Sequence, residues 1–252
     1  MITSLKRLLY RTVYRVGAAR TVLFGPCRGL KYHIFEGYSL AYLYGGRERE
    51  EMQVMIEHVN PGSVVYDLGA NYGMHTLLLA RLAGPKGRVL AFEPSPDIHQ
   101  WLRKNVDLNG FQQVSCVQRA VSDANGRVSF DLGAGTAVGH ISPCPTGFEV
   151  ETVTIDSLVD SGSPVPDFIK IDIEGGESSA LRGALNVLTA RRPTLLIELH
   201  TPEQDVAVGA ILRDLSYKVE RLRPREEVER LDLGWPHKNG MWGTVLATAR
   251  RS

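Results

Sequence analysis

The apolar positions of this chain fall into two rhythms that alternate along its length. Val64-Val65-Tyr66 is a short apolar run closed by Asp67-Leu68-Gly69. Met74 to Ala83 is helix-like, a Gly-Pro-Lys-Gly turn follows, and Val89-Leu90-Ala91-Phe92 is a second run closed by Glu93. This predicts a strand–turn–helix–turn–strand unit of the length that a right-handed parallel crossover needs. Upstream, Arg47 to Val59 predicts a helix with Met52, Met55, Ile56 and Val59 inward, stopped by Asn60-Pro61-Gly62. Downstream, Ser95 as N-cap and Pro96 in the first turn open a helix with Ile98, Trp101, Leu102 and Val106 inward, and Asn109-Gly110 ends it. A third strand is expected at Val114 to Val117. Asp167 to Ile173 and Pro193 to His200 read as strands, with a helix through Ala180, Leu181 and Ala184 between them. Gln204 to Leu215 is helical, and Tyr217 to Leu222 and Met241 to Ala247 are the last strands.

Two regions break the rhythm. Ala120-Val121-Ser122-Asp123, then Asn125-Gly126 and Val128-Ser129-Phe130, carry a hairpin signal. A Gly/Pro/Thr-rich loop over 133–148 and an alternating segment from Val150 to Ile155 complete a β-rich insertion, expected to extend one edge of the sheet. The other region is the N-terminus. Residues 1–31 carry Lys6, Arg7, Arg11, Arg15, Arg20, Arg28 and Lys31 before the first acid, Glu36, with Leu5, Leu8, Leu9, Val13 and Val16 at helical spacing. This predicts a basic amphipathic helix, either a cap on the core or a contact with an anionic membrane surface or lipid-linked substrate. Residues 32–46, rich in Tyr and Gly, read as a substrate-facing lid or as packing aromatics. The expected division is an arm, 1–46, and one domain, 47–252.

Composition narrows the class without deciding it. At 252 residues, 43% hydrophobic and 23% charged, the chain is long enough for one α/β domain with additions. A net charge of +1 gives no global reason to expect nucleic acid as a partner. Cys27, Cys116 and Cys144 are widely spaced, which indicates neither a disulfide framework nor a zinc site. No apolar run reaches a membrane span and no secretory leader is evident, so a cytoplasmic protein is expected, with peripheral contact at the inner membrane face through residues 1–31 as a variant. The oligomeric state stays open, and a homodimer is compatible with the chain.

The candidate chemistry sits at the strand ends. Asp67-Leu68-Gly69-Ala70-Asn71-Tyr72-Gly73 is a G-x-N-x-G turn, unlike the G-x-G-x-x-G of dinucleotide dehydrogenases. Its glycines let a ligand approach the backbone and the helix N-terminus, and Glu93 ends the next strand where a nucleotide ribose would lie. With VVYDLGANYGMHT (64–76), AFEPSP (91–96), Asn105 and Asn109, AVSD (120–123), TIDSL (154–158), FIKIDIEGGE (168–177) and LLIELH (195–200) in order, the chain resembles the FkbM-type S-adenosylmethionine (SAM) dependent methyltransferases. The resemblance implies a Rossmann-like class I methyltransferase fold, α/β, with a mostly parallel seven-stranded sheet whose last strand is antiparallel. It implies methyl transfer to a hydroxyl of a sugar, glycolipid, polyketide or other secondary metabolite, as in natural product biosynthesis. It also implies roles: Gly69, Asn71 and Gly73 beside the methionine part, Asp67 on its ammonium, and Glu93 on the ribose hydroxyls. Thr76, Pro94 and Ser95 fall within the same motifs, Ala120, Val121 and Ser122 near adenine, and Asp172 at the methionine or the reacting centre.

An alcohol is a poor nucleophile at neutral pH, so a base or a metal must activate it. Asp172 and Glu174, and Glu198 and His200, each stand two residues apart, so each pair leaves one face wherever its strand remains extended. His200, with an ordinary pKa near 6.5, is the expected general base. Asp172, Glu198 and His200 form a candidate Mg²⁺ site that would bind the substrate hydroxyl. Glu174 could instead cap the next helix beside Gly175. An N-methyltransferase stays open as a close variant. So do an NAD-dependent oxidoreductase, opposed by the turn pattern, and a membrane-surface pseudoenzyme, opposed by the intact cofactor motif.

Overall fold

The computed structural model describes residues 15, 17–35, 40–131, 140–141, 148–231 and 243–249. The expected amphipathic helix over Leu5 to Val16 and most of the 133–148 loop lie outside them.

The organising unit forms as expected: β3 (Val64–Leu68), α3 (Met74–Ala83) and β4 (Arg88–Phe92), with α2 (Arg49–His58) before them, after β1 (Ala19–Thr21), β2 (Lys31–His33) and the short α1 (Leu40–Leu43). Then come α4 (Pro96–Asn109), β5 (Val114–Val117), β6 (Ala120–Val121), β7 (Gly126–Asp131), β8 (His140–Ile141) and β9 (Phe148–Val153). The remainder is α5 (Ile155–Asp160), β10 (Phe168–Ile171), α6 (Glu177–Arg182), α7 (Leu185–Arg191), β11 (Thr194–Glu198), α8 (Pro202–Asp214), β12 (Tyr217–Leu222), β13 (Arg225–Glu227) and β14 (Thr244–Ala249). The main sheet has the order β13-β12-β14-β11-β10-β3-β4-β5. β3 pairs in parallel with both β4 and β10, and β14 is antiparallel to both β11 and β12. The antiparallel last strand is therefore where the resemblance puts it. The sheet has eight strands, not seven, because the charged segment after Leu222 folds back as β13.

The sheet is buried on both faces. Val65, Val89, Phe168 and Leu196 pack on one side, against α3 and α4, while Tyr66, Phe92, Ile169, Ile171 and Ile197 pack on the other. This is why these strands read as continuous apolar runs rather than alternating ones. α4 presents Ile98, Leu102 and Val106 inward and ends at Gly110 in the left-handed conformation. Ser95 is its N-cap, but its side chain makes no capping bond, and its backbone N–H donates instead to Glu93 Oε1 at 2.9 Å.

Three expectations are corrected. Asn125-Gly126 is not a hairpin turn: β6 and β7 both pair with β9, the first in parallel and the second antiparallel. The Asn125 side chain is taken by the start of α5, accepting from Thr154 N at 2.8 Å and Ser157 Oγ at 3.0 Å. The insertion forms its own sheet, β6-β9-β7-β8, and does not extend the main one. Residues 19–33 are a β1–β2 pair, not a continuation of a helix. Within the expected arm, Val22, Cys27, Leu30, Tyr32, Ile34 and Phe35 are buried in the same core as α3 and α4. Among the described residues no helix is long and apolar enough to cross a membrane.

Candidate active site

The turn after β3 is held from below. Asp67 is fully buried, and its Oδ2 accepts from Thr76 Oγ1 at 2.6 Å, tying the strand end to the first turn of α3. Its Oδ1 lies 3.6 Å from Lys170 Nζ, the in-register neighbour on β10. Gly69, Asn71 and Gly73 all have positive φ. At Gly69 this is obligatory, because a Cβ there would overlap the carbonyl oxygen of Asp172. The turn hangs from β4, with Gly69 and Ala70 N–H donating to the Phe92 carbonyl and Asn71 N–H donating to Glu93 Oε2 at 3.0 Å.

Above this turn lies a cleft that opens to solvent. Gly69, Asn71, Glu93, Pro94, Ala120, Val121, Asp172 and Glu174 line it, together with Phe92, Ile98, Arg119, Phe130 and Ile173. The apolar residues among these make a slot of the kind a planar base fills. Glu93 is 6% exposed. Each of its oxygens already accepts one backbone N–H, so each keeps a lone pair for a further donor. Burial pushes its carboxyl up to about 7, against the pull of those two hydrogen bonds. Thr76, Ser95 and Ser122 are buried beside the cleft, not in its wall: Thr76 braces Asp67, and Ser122 Oγ donates to Asp123. Asp67 likewise lies beneath the turn, so its contact with a ligand would run through the turn.

A second hollow of about 730 Å³ meets the cleft at Gly69, Asn71 and Asp172. Gly73, Tyr72 and His75 line it with Tyr32, Phe35, Tyr42, Glu48 and Lys170. Phe35 stacks on Tyr72 with ring centroids 3.3 Å apart. Asn105 ties Tyr72 to the end of β2: its Nδ2 donates to the Tyr72 carbonyl and its Oδ1 accepts from His33 N, each at 2.8 Å.

Past the ends of β10 and β11 a third group assembles. His200 Nδ1 lies 2.9 Å from Glu177 Oε1, and Nε2 lies 3.4 Å from Glu174 Oε2 and 3.5 Å from Asp172 Oδ1. Asp172 and Glu174 do not converge through strand alternation. β10 ends at Ile171, and Glu174 turns back with φ 54. The N-cap residue of α6 is Gly176, and the N–H of Gly175 just ahead of it donates to Glu177 Oε1 at 2.9 Å. Burial disfavours the imidazolium, but the Glu177 hydrogen bond and the Glu174 and Asp172 charges outweigh it and hold the pKa of His200 up to about 9. His200 is therefore charged at neutral pH in the ligand-free chain, contrary to the expectation of an ordinary imidazole. Among the described residues, Asp172, Glu174 and His200 offer ligand atoms within 4.8 Å of one another. Glu198 is not in that cluster, although burial and the Asp172 charge raise its carboxyl. Glu174 takes its place in any cation site.

Two residues were not legible as site residues. Lys170 is 5% exposed and bridges the motifs, 3.1 Å from Asp172 Oδ2 and 3.4 Å from the Gly69 carbonyl. Burial would strip its proton, but Asp172 and Asp67 keep it charged. A lysine inside an apolar strand run was the available signal. Glu177, fully buried, orients His200, and its place in the first turn of a helix gave no hint of that.

A carboxylate with spare acceptors at the end of the second strand of the crossover, beside a glycine turn that a Cβ would fill, fits a nucleoside cofactor, and this sheet order with its antiparallel last strand is that of class I SAM-dependent methyltransferases. Residues 67–219, more than half of the chain, match the methyltransferase FkbM domain, and the protein belongs to that family. It is similar to hexuronic acid methyltransferase AglP of Haloferax volcanii, with 29% identity over 71% of this chain and 74% of that one. It is also similar to 31-O-demethyl-FK506 methyltransferase FkbM of Streptomyces tacrolimicus, with 28% identity over 61% of this chain and 71% of that one. The fold matches a crystal structure from Clostridium thermocellum, assigned as an rRNA methylase, with a TM-score of 0.51 and 12% identity over 81% of this chain and 96% of that one. The chain is a SAM-dependent methyltransferase.

Proposed function

We propose that the protein transfers a methyl group from SAM to a hydroxyl of a sugar or of another hydroxylated small molecule, such as a polyketide. The observation that carries this reading is a shared wall. Asp172 and Glu174 line the cleft that Glu93 closes, and the same two side chains face His200 Nε2. The cofactor end and a proton-handling group thus meet at one edge of the sheet. Similarity to a hexuronic acid methyltransferase and to a 31-O-demethyl-FK506 methyltransferase supports a hydroxylated acceptor.

Bound SAM supplies an electrophilic methyl carbon on sulfonium, and the residues do the rest. Glu93 holds the ribose through the lone pairs its backbone partners leave free. Phe130, Ile98 and Val121 exclude water from the base, and Lys170 steadies the Gly69 carbonyl and Asp172. Glu177 accepts from Nδ1 of His200, which leaves Nε2 to face the acceptor hydroxyl. With SAM and the acceptor bound, Nε2 would take the hydroxyl proton as the methyl group leaves sulfur for oxygen. For that transfer Nε2 must first be free of its own proton, so the acceptor has to offset the carboxylate charge around it.

A divalent cation held by Asp172, Glu174 and His200 would be a different route: it would occupy Nε2 and lower the pKa of an acceptor hydroxyl bound to it, in place of a base. The donor set fits one ion, but its imidazole suits Mn²⁺ or Zn²⁺ better than Mg²⁺, which prefers oxygen ligands throughout.

The test is incubation with SAM and a panel of glycosides, uronic acids and hydroxylated macrocycles, with mass spectrometry for a methyl ether and for S-adenosylhomocysteine. Methyl ether on a hydroxyl supports the proposal. Methylation confined to amines overturns it.

A further inference from the structure

The second hollow has a wall that lies outside the family-matched segment. Glu48 stands in that wall, ahead of residues 67–219, and shares the hollow with the glycine turn. Three observations single it out. Its backbone sits in the left-handed region, φ 50 and ψ 41, although it is not glycine. A glutamate holds that conformation only where its surroundings fix it, and such residues gather at binding sites. Its side chain is also held: Oε1 accepts from Tyr42 Oη at 3.2 Å and from Arg47 Nη2 at 3.5 Å, and Oε2 lies 3.1 Å from His75 Nε2. The latter is an ion-pair distance without aligned hydrogen-bond geometry, so the carboxylate keeps acceptor capacity. Burial would raise its pKa, but His75, with Lys170 and Arg47, outweighs burial and holds the carboxyl at about 2. A positioned, partly buried carboxylate that stays charged throughout the working range is suited to a cation.

The hollow joins the nucleoside cleft at Gly69, Asn71 and Asp172, so a ligand seated on Glu93 can continue into it. The nucleoside of SAM carries a zwitterionic amino-acid tail. The start of α3, where Gly73 provides no side-chain cap, leaves backbone N–H groups suited to the carboxylate of that tail. The remaining charge is an ammonium, and Glu48 is a carboxylate in the wall of the same hollow. We propose that Glu48 binds the α-ammonium of the methionine part of SAM and positions the cofactor along the glycine turn. This rests on the SAM-dependent reading of the site and assigns a cofactor-binding residue to the segment ahead of the family-matched domain.

The experiment titrates three ligands into the wild-type chain and then into Glu48→Gln, by calorimetry. The ligands are S-adenosylhomocysteine, its deaminated analogue that keeps the carboxylate, and 5′-methylthioadenosine, which lacks the whole tail. Glu48→Gln should weaken S-adenosylhomocysteine about tenfold or more, as expected for a lost charged hydrogen bond. It should leave the other two unchanged within about twofold, which also reports that the cleft is folded. Unchanged affinity for S-adenosylhomocysteine, or equal losses for all three, overturns the assignment. A loss that persists with the deaminated analogue also overturns it, because Glu48 would then not be reading the ammonium. Should Glu48→Gln fail to fold, Glu48→Asp, which keeps the charge but shortens its reach, must weaken S-adenosylhomocysteine selectively or the proposal falls. Failure of the wild type to bind any of the three would overturn the cofactor reading itself, and is seen before any variant is made.

Discussion

Glu93 couples the stability of the empty fold to the binding of its cofactor, and replacing it with glutamine separates the two. Its carboxyl sits at about 7 in the folded chain against an ordinary 4.5, because burial opposes the charge. Between those values the folded state binds the proton more tightly than the unfolded chain, so stability is greatest below 4.5 and falls as pH rises through 7. The loss is about 1.4 kcal/mol per pH unit in that window and about 3 kcal/mol in all. Glu93→Gln carries no such slope. It carries a fixed cost, because an amide offers one oxygen to two backbone donors, Asn71 N–H and Ser95 N–H, and sets its own NH₂ against one of them. That mismatch costs about 1–3 kcal/mol at every pH. Urea denaturation of both proteins at a series of pH values should therefore show the wild-type advantage shrinking by about 3 kcal/mol from below 4.5 to above 7. Taking the difference cancels the other titrating groups. Ligand affinity should move the other way: the wild type should bind S-adenosylhomocysteine more tightly as pH rises through 7, since the ionised carboxylate accepts from both ribose hydroxyls, while Glu93→Gln should bind at least about tenfold more weakly with a flatter profile. Parallel stability curves for the two proteins would refute the account of Glu93 as a buried carboxyl that ionises late.

Three further outcomes follow from the geometry. Asn105→Ala removes the acceptor of His33 N–H and the donor to the Tyr72 carbonyl, so it should cost about 2–4 kcal/mol in urea denaturation; a loss below about 0.5 kcal/mol would mean that the turn and the β1–β2 pair are held by other contacts. His200→Gln should lower kcat by about a hundredfold or more while S-adenosylhomocysteine affinity stays within about twofold, and unchanged turnover would place proton removal elsewhere. If a cation completes the Asp172, Glu174 and His200 cluster, chelation should abolish turnover and Mn²⁺ should restore it better than Mg²⁺, whereas full activity in chelator would leave activation of the hydroxyl to His200 as base.

The main sheet was legible because its strands are short, buried on both faces and separated by helices with clear stops. Val64 to Leu68 and Arg88 to Phe92 each fall within a residue or two of the apolar runs that announce them. The insertion misread for the opposite reason. Asn125-Gly126 is a strong local turn signal, but β9, more than twenty residues later, offers hydrogen bonds to both β6 and β7 and takes the place that β6 would have had beside β7. Non-local pairing overrode local preference, which spacing alone does not report. β13 was hidden for a related reason: Arg225, Glu226 and Glu227 are charged and exposed, as edge strands often are. In TIDSL, Asp156 could be matched but not explained. Its carboxylate accepts from Asn186 and Val187 N–H, at the start of a helix thirty residues on.

The active site divides along the same line. Gly69, Glu93 and Asp172 were readable because each stands at the end of a strand or in the turn after it, where α/β sheets place ligands. What escaped was the support that makes those positions work. Lys170 is a charge in an apolar run, Glu177 a first-turn glutamate and Glu48 one acid in an alternating Arg-Glu sequence, and none has a local pattern to mark it. Their significance comes from register and burial. Lys170 is the register partner of Asp67 on the adjacent strand, Glu177 is buried against His200, and Glu48, with a left-handed backbone, lines the hollow that the glycine turn also lines. His200 shows the consequence for chemistry. Residue type alone assigns it an ordinary imidazole and a ready base. Three carboxylates gathered from the segment after β10 make it an acid at neutral pH, and its use as a base then depends on what else enters the site.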